Sequence, residues 1–128
     1  MKPPKLNNEM RRVEKPWGHE IIWAHTRAYV GKILHINAGH SLSRQYHRVK
    51  DETLMILSGV LDVELGLGDQ LRRFRLYPQE TLHITPGTVH RLSAQVDTEI
   101  NEVSTPELDD VVRLEDRYGR VQGQLASK

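Results

Sequence analysis

The stretch GHSLSRQYHRVKDETLMILSG, residues 39–59, decides the fold prediction because it sets polar and apolar residues in short, glycine-bounded segments. Its apolar run, 53–57, ends in a Ser-Gly pair, which is typical of a strand followed by a turn. Its polar part carries Gln45, His47 and Glu52, whose side chains are of types that bind metal ions in proteins. A strand-rich domain with a metal site is therefore the first hypothesis.

The rest of the chain repeats short strand-like segments separated by turn residues. Apolar and acidic side chains alternate over residues 60–65, and apolar residues alternate with arginines over 71–77. The Gly-Leu-Gly-Asp sequence between these segments is typical of a hairpin connection. Further strands are predicted over residues 20–23, 30–36, 81–84, 89–94 and 98–104. About eight or nine short strands, with a turn roughly every 8–12 residues, predict an all-β double-sheet jelly-roll barrel.

Length, charge and composition limit the possible functions. The 128 residues fit one domain, which we place at 13–120, with a flexible N-terminal arm over 1–12 and a C-terminal tail over 121–128. The chain has no cysteine, a formal net charge of +1 and no apolar run of membrane-spanning length. We therefore expect a cytoplasmic protein that binds neither membranes nor nucleic acid.

Four side chains are candidates for one metal site. Gln45 and His47 are two residues apart, so they face the same side of a strand. Glu52 follows a polar bend, and His90 follows the turn sequence Thr-Pro-Gly-Thr, so both can approach the same cavity from other strands. Any single histidine is more often solvated or hydrogen-bonded than a ligand. The joint spacing of the four donors favours a divalent-cation site over that alternative.

The same residues resemble the two sequence motifs of the cupin superfamily. The first motif has glycine, a His-x-His pair, glutamate and glycine at spacings that match Gly39, Gln45, His47, Glu52 and Gly59. The glutamine is a departure, since many cupins carry histidine at that place. The key residues of the second motif match only at Gly87 and His90. The resemblance implies a double-stranded β-helix, the cupin barrel, with a metal ion inside it.

A closer resemblance, over residues 13–120, is to the isomerase domain of type II mannose-6-phosphate isomerases. The matching segments are Lys-Pro-Trp-Gly at 15–18, Leu-Ser-x-Gln-x-His at 42–47, Gly-Thr-x-His-Arg at 87–91, Glu-Val at 102–103 and an acidic segment at 109–120. The resemblance implies that Gln45, His47, Glu52 and His90 bind one divalent metal ion per chain, zinc first, with Mn, Fe, Co or Ni as alternatives. It also implies a sugar-phosphate substrate and the isomerisation of mannose 6-phosphate to fructose 6-phosphate.

Two departures from that family bear on the activity. Bifunctional members also carry a large nucleotidyltransferase domain, for which 128 residues leave no room, so we expect no nucleotidyl transfer from this chain. The His-His-x-Arg sequence common between the first histidine and the glutamate is replaced by Arg-Val-Lys-Asp at 48–51. Another sugar isomerase or epimerase, and a non-catalytic metal- or sugar-binding cupin, therefore stay open as alternatives.

Aldose–ketose isomerisation needs a base near the carbon-bound proton, and a sugar phosphate needs a cation for its phosphate. The candidate bases are Lys50, Glu102, His35 and His83. Lys50 and Glu102 enter the predicted catalytic set together with Arg91, although strand alternation turns Arg91 away from the side that His90 faces. The resemblance places four arginines as phosphate candidates: Arg91 and the C-terminal Arg113, Arg117 and Arg120.

Four further expectations concern the remaining segments. We interpret Lys32 as an outward-facing, solvated amine in preference to a buried one. Asp109 is expected to cap a helical turn that runs through Val112. For the segment 109–120, a surface network of salt bridges stays open as the alternative to a phosphate-binding role. A homodimer is expected because a small barrel with open strand edges favours pairing.

Overall fold

The computed structural model describes residues 10–121, which form eleven short strands. In chain order these are β1 (Arg11–Lys15), β2 (Gly18–His25), β3 (Val30–Ile36), β4 (Arg44–Tyr46), β5 (Glu52–Ser58), β6 (Leu61–Leu65), β7 (Arg72–Leu76), β8 (Thr81–Ile84), β9 (His90–Ser93), β10 (Thr98–Ser104) and β11 (Val112–Glu115). The one helical element in this part of the chain is a 3-10 turn, Gly68–Gln70. None of residues 10–121 lies in a helix with the length and apolarity that a membrane crossing requires.

Two antiparallel sheets build the barrel. One contains six strands in the order β1-β2-β3-β10-β5-β8, and the other contains five in the order β11-β4-β9-β6-β7. Alternating sequences form such sheets because every second side chain can be buried while its neighbours stay in solvent. The prediction of an all-β double-sheet barrel is confirmed.

The apolar core occupies the space between the two sheets. Leu54 and Ile56 of β5, Ile100 of β10 and Leu61 of β6 are each no more than 1% exposed. Burying side chains of this size stabilises the fold by about 1.5–3 kcal/mol each. The turn after β5 needs glycine at Gly59, because its φ is 83° and a Cβ there would lie 2.4 Å from a backbone carbonyl oxygen.

The structure differs from the sequence prediction mainly near the two ends of the chain. Strand β1 begins at Arg11, inside the predicted arm. Residues 1–9 of that arm and residues 122–128 of the predicted tail lie outside the described residues. The predicted helical turn from Asp109 is wrong, because Val112 begins β11. This strand pairs with β4, in the register Val112 with Tyr46, so backbone pairing across the sheet replaces local helical hydrogen bonds.

Candidate metal centre

Three strands from the two sheets, β4, β9 and β5, bring the predicted metal ligands together. Gln45 of β4 lies directly opposite His90 of β9 in the antiparallel register. Directly opposed residues project to the same face of a sheet, so both side chains belong to one surface. His47 follows the end of β4, and Glu52 begins β5 in the other sheet. The ligands therefore approach from both sheets.

The donor atoms of His47, Glu52 and His90 converge in space. One ligand atom from each lies within 4.8 Å of the other two, and all three residues are buried. Nε2 of His47 and Oε2 of Glu52 are 2.7 Å apart, yet neither has a hydrogen-bond partner of acceptable geometry within residues 10–121. Buried polar atoms without partners are costly, and a cation between them would satisfy both. The set fits a divalent metal ion.

The second nitrogen of each histidine ring fixes the orientation of the first. Nδ1 of His47 donates to the carbonyl oxygen of Asp110 at 2.5 Å, and Nδ1 of His90 donates to the carbonyl oxygen of Thr88 at 2.9 Å. A carbonyl oxygen can only accept, so the proton of each neutral ring is on Nδ1. The lone pair is then on Nε2, the usual arrangement of a metal-binding histidine.

Gln45 offers a fourth candidate donor, an amide oxygen. Its Oε1 accepts a hydrogen bond from the hydroxyl of Ser43 at 2.5 Å, which leaves one lone pair on that oxygen. The side chain lines the same cavity as His47. Two imidazoles, one carboxylate and one amide would leave net positive charge on a divalent cation.

The ionisation states of the ligands suit a cation. Burial lowers the pKa of His90, which keeps this imidazole neutral near pH 7. Burial alone would raise the pKa of Glu52, but the proximity of His47 and the positive charge of Lys50 lower it to about 2. Glu52 is therefore a carboxylate and His90 a neutral ring, the forms that bind metals.

Asp110 holds the bend between His47 and Glu52, a role that the sequence analysis missed. Its carboxylate accepts from the backbone N–H groups of Arg48, Val49 and Lys50 at 3.0, 2.7 and 2.8 Å. Although its slight burial would raise the pKa of Asp110, these three donors lower it to about 2. The signal in the sequence was the Asp-Asp pair of the matched C-terminal segment, for which a surface network of salt bridges had been left open as an alternative.

A row of buried charges extends from the metal ligands across the six-stranded sheet. Nζ of Lys50 lies 2.7 Å from Glu102 and 3.4 Å from Glu52. Nζ of Lys32 lies 3.2 Å from Glu20 and 3.8 Å from Glu102. The interpretation of Lys32 as a solvated amine is wrong, because it is 6% exposed and faces these carboxylates.

The other candidate catalytic residues lie away from the ligands. Ring nitrogens of His35 and His83 contact Glu99 and Asp51 at 3.0 and 2.7 Å, and neither histidine lines the cavity beside the metal ligands. Arg91 also lies outside that lining, and its Nε donates to the carbonyl oxygen of Leu42 at 3.2 Å. Of the predicted catalytic set, Lys50 contacts the candidate ligand Glu52 at 3.4 Å, and Glu102 contacts Lys50 at 2.7 Å.

A cavity of about 340 Å³ opens in front of the ligands. Gln45, His47 and Lys50 line one part of it. Lys15 and Arg113 line another part, and Trp17 also contributes to the wall. A cavity of this size holds a small organic molecule.

Comparison with known proteins identifies the family of the chain. The sequence model of the family described as "Mannose-6-phosphate isomerase C-terminal" matches residues 4–116. The chain belongs to this family. It is 35% identical over 117 residues to the mannose-1-phosphate guanylyltransferase ManC of Salmonella typhimurium, covering 87% of this chain and 23% of that protein. The chain thus spans less than a quarter of the length of this relative.

Solved structures show the same fold. KdgF from Halomonas sp. matches with a TM-score of 0.68 at 21% identity, over 80% of this chain and 91% of that one. A protein of Klebsiella pneumoniae described as having a double-stranded beta-helix domain matches with a TM-score of 0.65 at 18% identity, over 88% and 90% of the two chains. The protein therefore has a double-stranded β-helix fold.

Proposed function

We propose that this chain isomerises a phosphorylated hexose with the help of a divalent cation, with mannose 6-phosphate and fructose 6-phosphate as the leading pair. The position of Lys50 carries the proposal: it lines the same cavity as Gln45 and His47, and it contacts the candidate ligand Glu52. Membership of the mannose-6-phosphate isomerase C-terminal family supports the same substrate class.

The reaction moves one proton between adjacent carbons of the sugar. A base takes the proton from C2 of the aldose while a donor protonates the C1 oxygen, which gives an enediol; the base then returns its proton to C1 while the C2 hydroxyl gives one back to the donor, which gives the ketose. A divalent cation held by the four donors would polarise the two oxygens involved. The chain must place a proton donor beside the same oxygens.

Lys50 is suited to donate to an oxygen that becomes negative. Burial would lower the pKa of Lys50, but the charges of Glu102 and Glu52 raise it well above the usual range. The side chain therefore stays an ammonium group near pH 7. Its donors stabilise negative charge on the sugar oxygens, while Glu102 positions the ammonium group from behind, at 2.7 Å.

A non-catalytic sugar-binding cupin is the competing function. One observation favours it: the ion pairs of Lys50 with Glu102 and Glu52 occupy the lysine and keep it protonated, so it cannot remove a proton from carbon. A binding protein needs only the cation and hydrogen-bonding groups. The polar side chains that line the cavity are such groups.

Turnover distinguishes the two functions. Full-length protein loaded with Zn, Mn, Fe, Co or Ni is incubated with a panel of hexose phosphates in D₂O, and nuclear magnetic resonance follows interconversion and deuterium uptake at C1 and C2. We expect mannose 6-phosphate and fructose 6-phosphate to interconvert. Absence of turnover with every metal and every sugar would favour the binding protein.

The variant Lys50→Met tests the role of the lysine. Loss of a donor to a developing negative charge lowers kcat by about 10²–10³-fold. The matched control is Arg72→Met, which removes an exposed cation of β7 far along the other sheet. Metal content is measured for both variants, so that a loss of metal is not mistaken for a loss of the lysine's role. If Lys50→Met keeps its metal and its kcat is unchanged, the lysine takes no part in the mechanism.

A further inference from the structure

Four cationic side chains from β1, β11 and the segment after β11 line the cavity, and three of them are close enough for their charges to interact. Lys15 ends β1, Arg113 lies in β11 and Arg120 follows that strand. We call these three residues the cationic cluster. It is separate from Lys32 and Lys50, which pair with buried carboxylates on the six-stranded sheet.

Two members of the cationic cluster have no anionic partner within residues 10–121. Nε of Arg113 is buried and makes no hydrogen bond in that part of the chain. Neither Arg113 nor Lys15 forms an ion pair with a described residue, whereas Arg120 is held by Asp116 at 2.8 Å. Buried guanidinium donors without acceptors are rare in folded proteins, because they lose hydration without replacement.

The electrostatics of the cationic cluster favour an incoming anion. Burial is the main cause that lowers the pKa of Lys15, and the positive charges of Lys32, Arg113 and Arg120 lower it further against the opposing charge of Glu20. Burial and the charge of Arg120 likewise lower the pKa of Arg113, against the opposing charge of Asp116. Positive charge in this place is therefore unfavourable until a negative group neutralises it.

The sheet register relates the cationic cluster to the metal ligands. Arg113 of β11 lies opposite Gln45 of β4, and Gln45 lies opposite His90 of β9. Two strand spacings separate the backbones of Arg113 and His90, roughly 10 Å. A hexose phosphate with its carbonyl end at the metal ligands would extend its phosphate toward Arg113.

We propose that Arg113, Lys15 and Arg120 form the subsite that binds the phosphoryl group of the substrate. The identity of the sugar bound beside it rests on the proposed isomerase function, but the affinity for a phosphate dianion does not. Arginine suits the role because its planar guanidinium can donate two parallel hydrogen bonds to phosphate oxygens. The other arginines considered from sequence do not reach this place: Arg117 donates to the carbonyl oxygen of Gly39 at 2.9 Å, and Arg91 lies outside the cavity.

Calorimetric titration of inorganic phosphate into EDTA-treated, full-length protein tests the subsite, with sodium chloride used to hold ionic strength constant. We expect saturable phosphate binding to the wild type and about tenfold or greater weakening in Arg113→Gln, as for a lost charged hydrogen bond. Lys15→Gln should weaken binding to a smaller extent. The matched control Arg72→Gln, on the exposed face of β7, should bind phosphate like the wild type.

Two results would overturn the subsite. One is an unchanged phosphate affinity in Arg113→Gln; the other is phosphate binding that occurs only when the protein carries a metal ion. Arg113 forms no ion pair with residues 10–121, so its replacement leaves no buried carboxylate unpaired in that part, and a melting curve checks the fold.

Failure of the subsite and failure of the isomerase proposal can be told apart. Wild-type turnover of hexose phosphates with normal phosphate binding by Arg113→Gln rejects the subsite and keeps the isomerase. Loss of phosphate binding in Arg113→Gln, with no turnover by the wild type, keeps the subsite and rejects the isomerase.

Discussion

The inward face of the barrel changes from apolar to ionic within single strands. On β10, Ile100 and Glu102 are two residues apart, face the same interior and are 0% and 3% exposed. On β5, Glu52 precedes Leu54 in the same way. The backbone conformation and the degree of side-chain burial are the same in the two halves. Only the chemistry of the side chains differs. The apolar half, which includes Leu54 and Ile100, stabilises the barrel. The ionic half, which includes Glu52 and Glu102, forms part of the candidate metal centre and its surroundings.

The ionic half is a weak contributor to stability. Bringing lysine and glutamate out of water has a desolvation cost that the attraction between them often fails to exceed. A well-packed apolar pair would serve the fold as well. The charges at Lys50 and Glu102 therefore point to a function. The predictions below compare how changes in each half affect stability and how they affect function.

The largest effect is expected from breaking one ion pair. Lys50→Met leaves Glu102 and Glu52 without their nearest cation, so the free energy of unfolding should fall by about 3–5 kcal/mol. Urea denaturation measures this change. A variant as stable as the wild type would show that these charges are solvated.

The paired variant Lys50→Met with Glu102→Leu is the control for that experiment. It removes both charges of the 2.7 Å pair together, while Lys32 keeps Glu20 at 3.2 Å and Glu52 keeps His47 at 2.7 Å. Stability should return to near the wild-type value or above it, since an apolar pair replaces an ionic one, but isomerase turnover should remain lost. If the paired variant is as unstable as Lys50→Met alone, the ion pair stabilises the fold more than an apolar pair does.

A change in the apolar half should act on stability alone. Ile56→Ala removes a side chain that is 1% exposed, and the cavity left behind should reduce the free energy of unfolding by about 2–5 kcal/mol. Metal content per folded chain should be unchanged, because the ligands lie at the other end of the barrel interior. A loss of metal in the folded fraction of Ile56→Ala would show that the two halves are coupled.

A smaller, pH-dependent effect is expected at Asp110. Its pKa in the folded protein, about 2, lies below the ordinary value of 3.8, so folding favours the carboxylate. Its contribution to stability is present above pH 3.8 and is lost as the pH falls through about 2. Allowing for solvent screening, Asp110→Asn should cost about 1 kcal/mol near neutral pH.

Acid titration of the melting temperature checks this prediction. The stability difference between wild type and Asp110→Asn should shrink as the pH falls below 3.8. Asp62→Asn, on the outer hairpin where Asp62 pairs with Arg75, is the matched control. A stability difference that does not change with pH would show that the Asp110 carboxylate does not stabilise the bend at residues 48–50.

The alternation of side chains made much of the fold predictable from sequence. Strands 30–36, 81–84 and 98–104 were predicted with the bounds that the structure has, because each is bounded by turn residues. Strands β1 and β11 were missed since their sequences are rich in charge. Such segments become strands only through pairing with a neighbour, as β11 does with β4, and local sequence does not contain that pairing.

The metal ligands and the buried charges differ in how much sequence reveals of them. His47, Glu52 and His90 meet in the structure, and their spacing had suggested one site. Lys32 was misjudged because a lysine within an apolar strand looks like a residue of the solvent face. Its partners Glu20 and Glu102 lie on two other strands, so its burial depends on sheet order rather than on any nearby residue.

The metal content of the purified protein tests the central claim most directly. Elemental analysis should find about one divalent cation per wild-type chain, and this should be lost in His47→Ala and in His90→Ala. His83→Ala, which alters an exposed histidine paired with Asp51, should keep the metal. A wild type that binds no divalent cation even when reloaded, or a His90→Ala protein with undiminished metal, would contradict a metal centre formed by these residues.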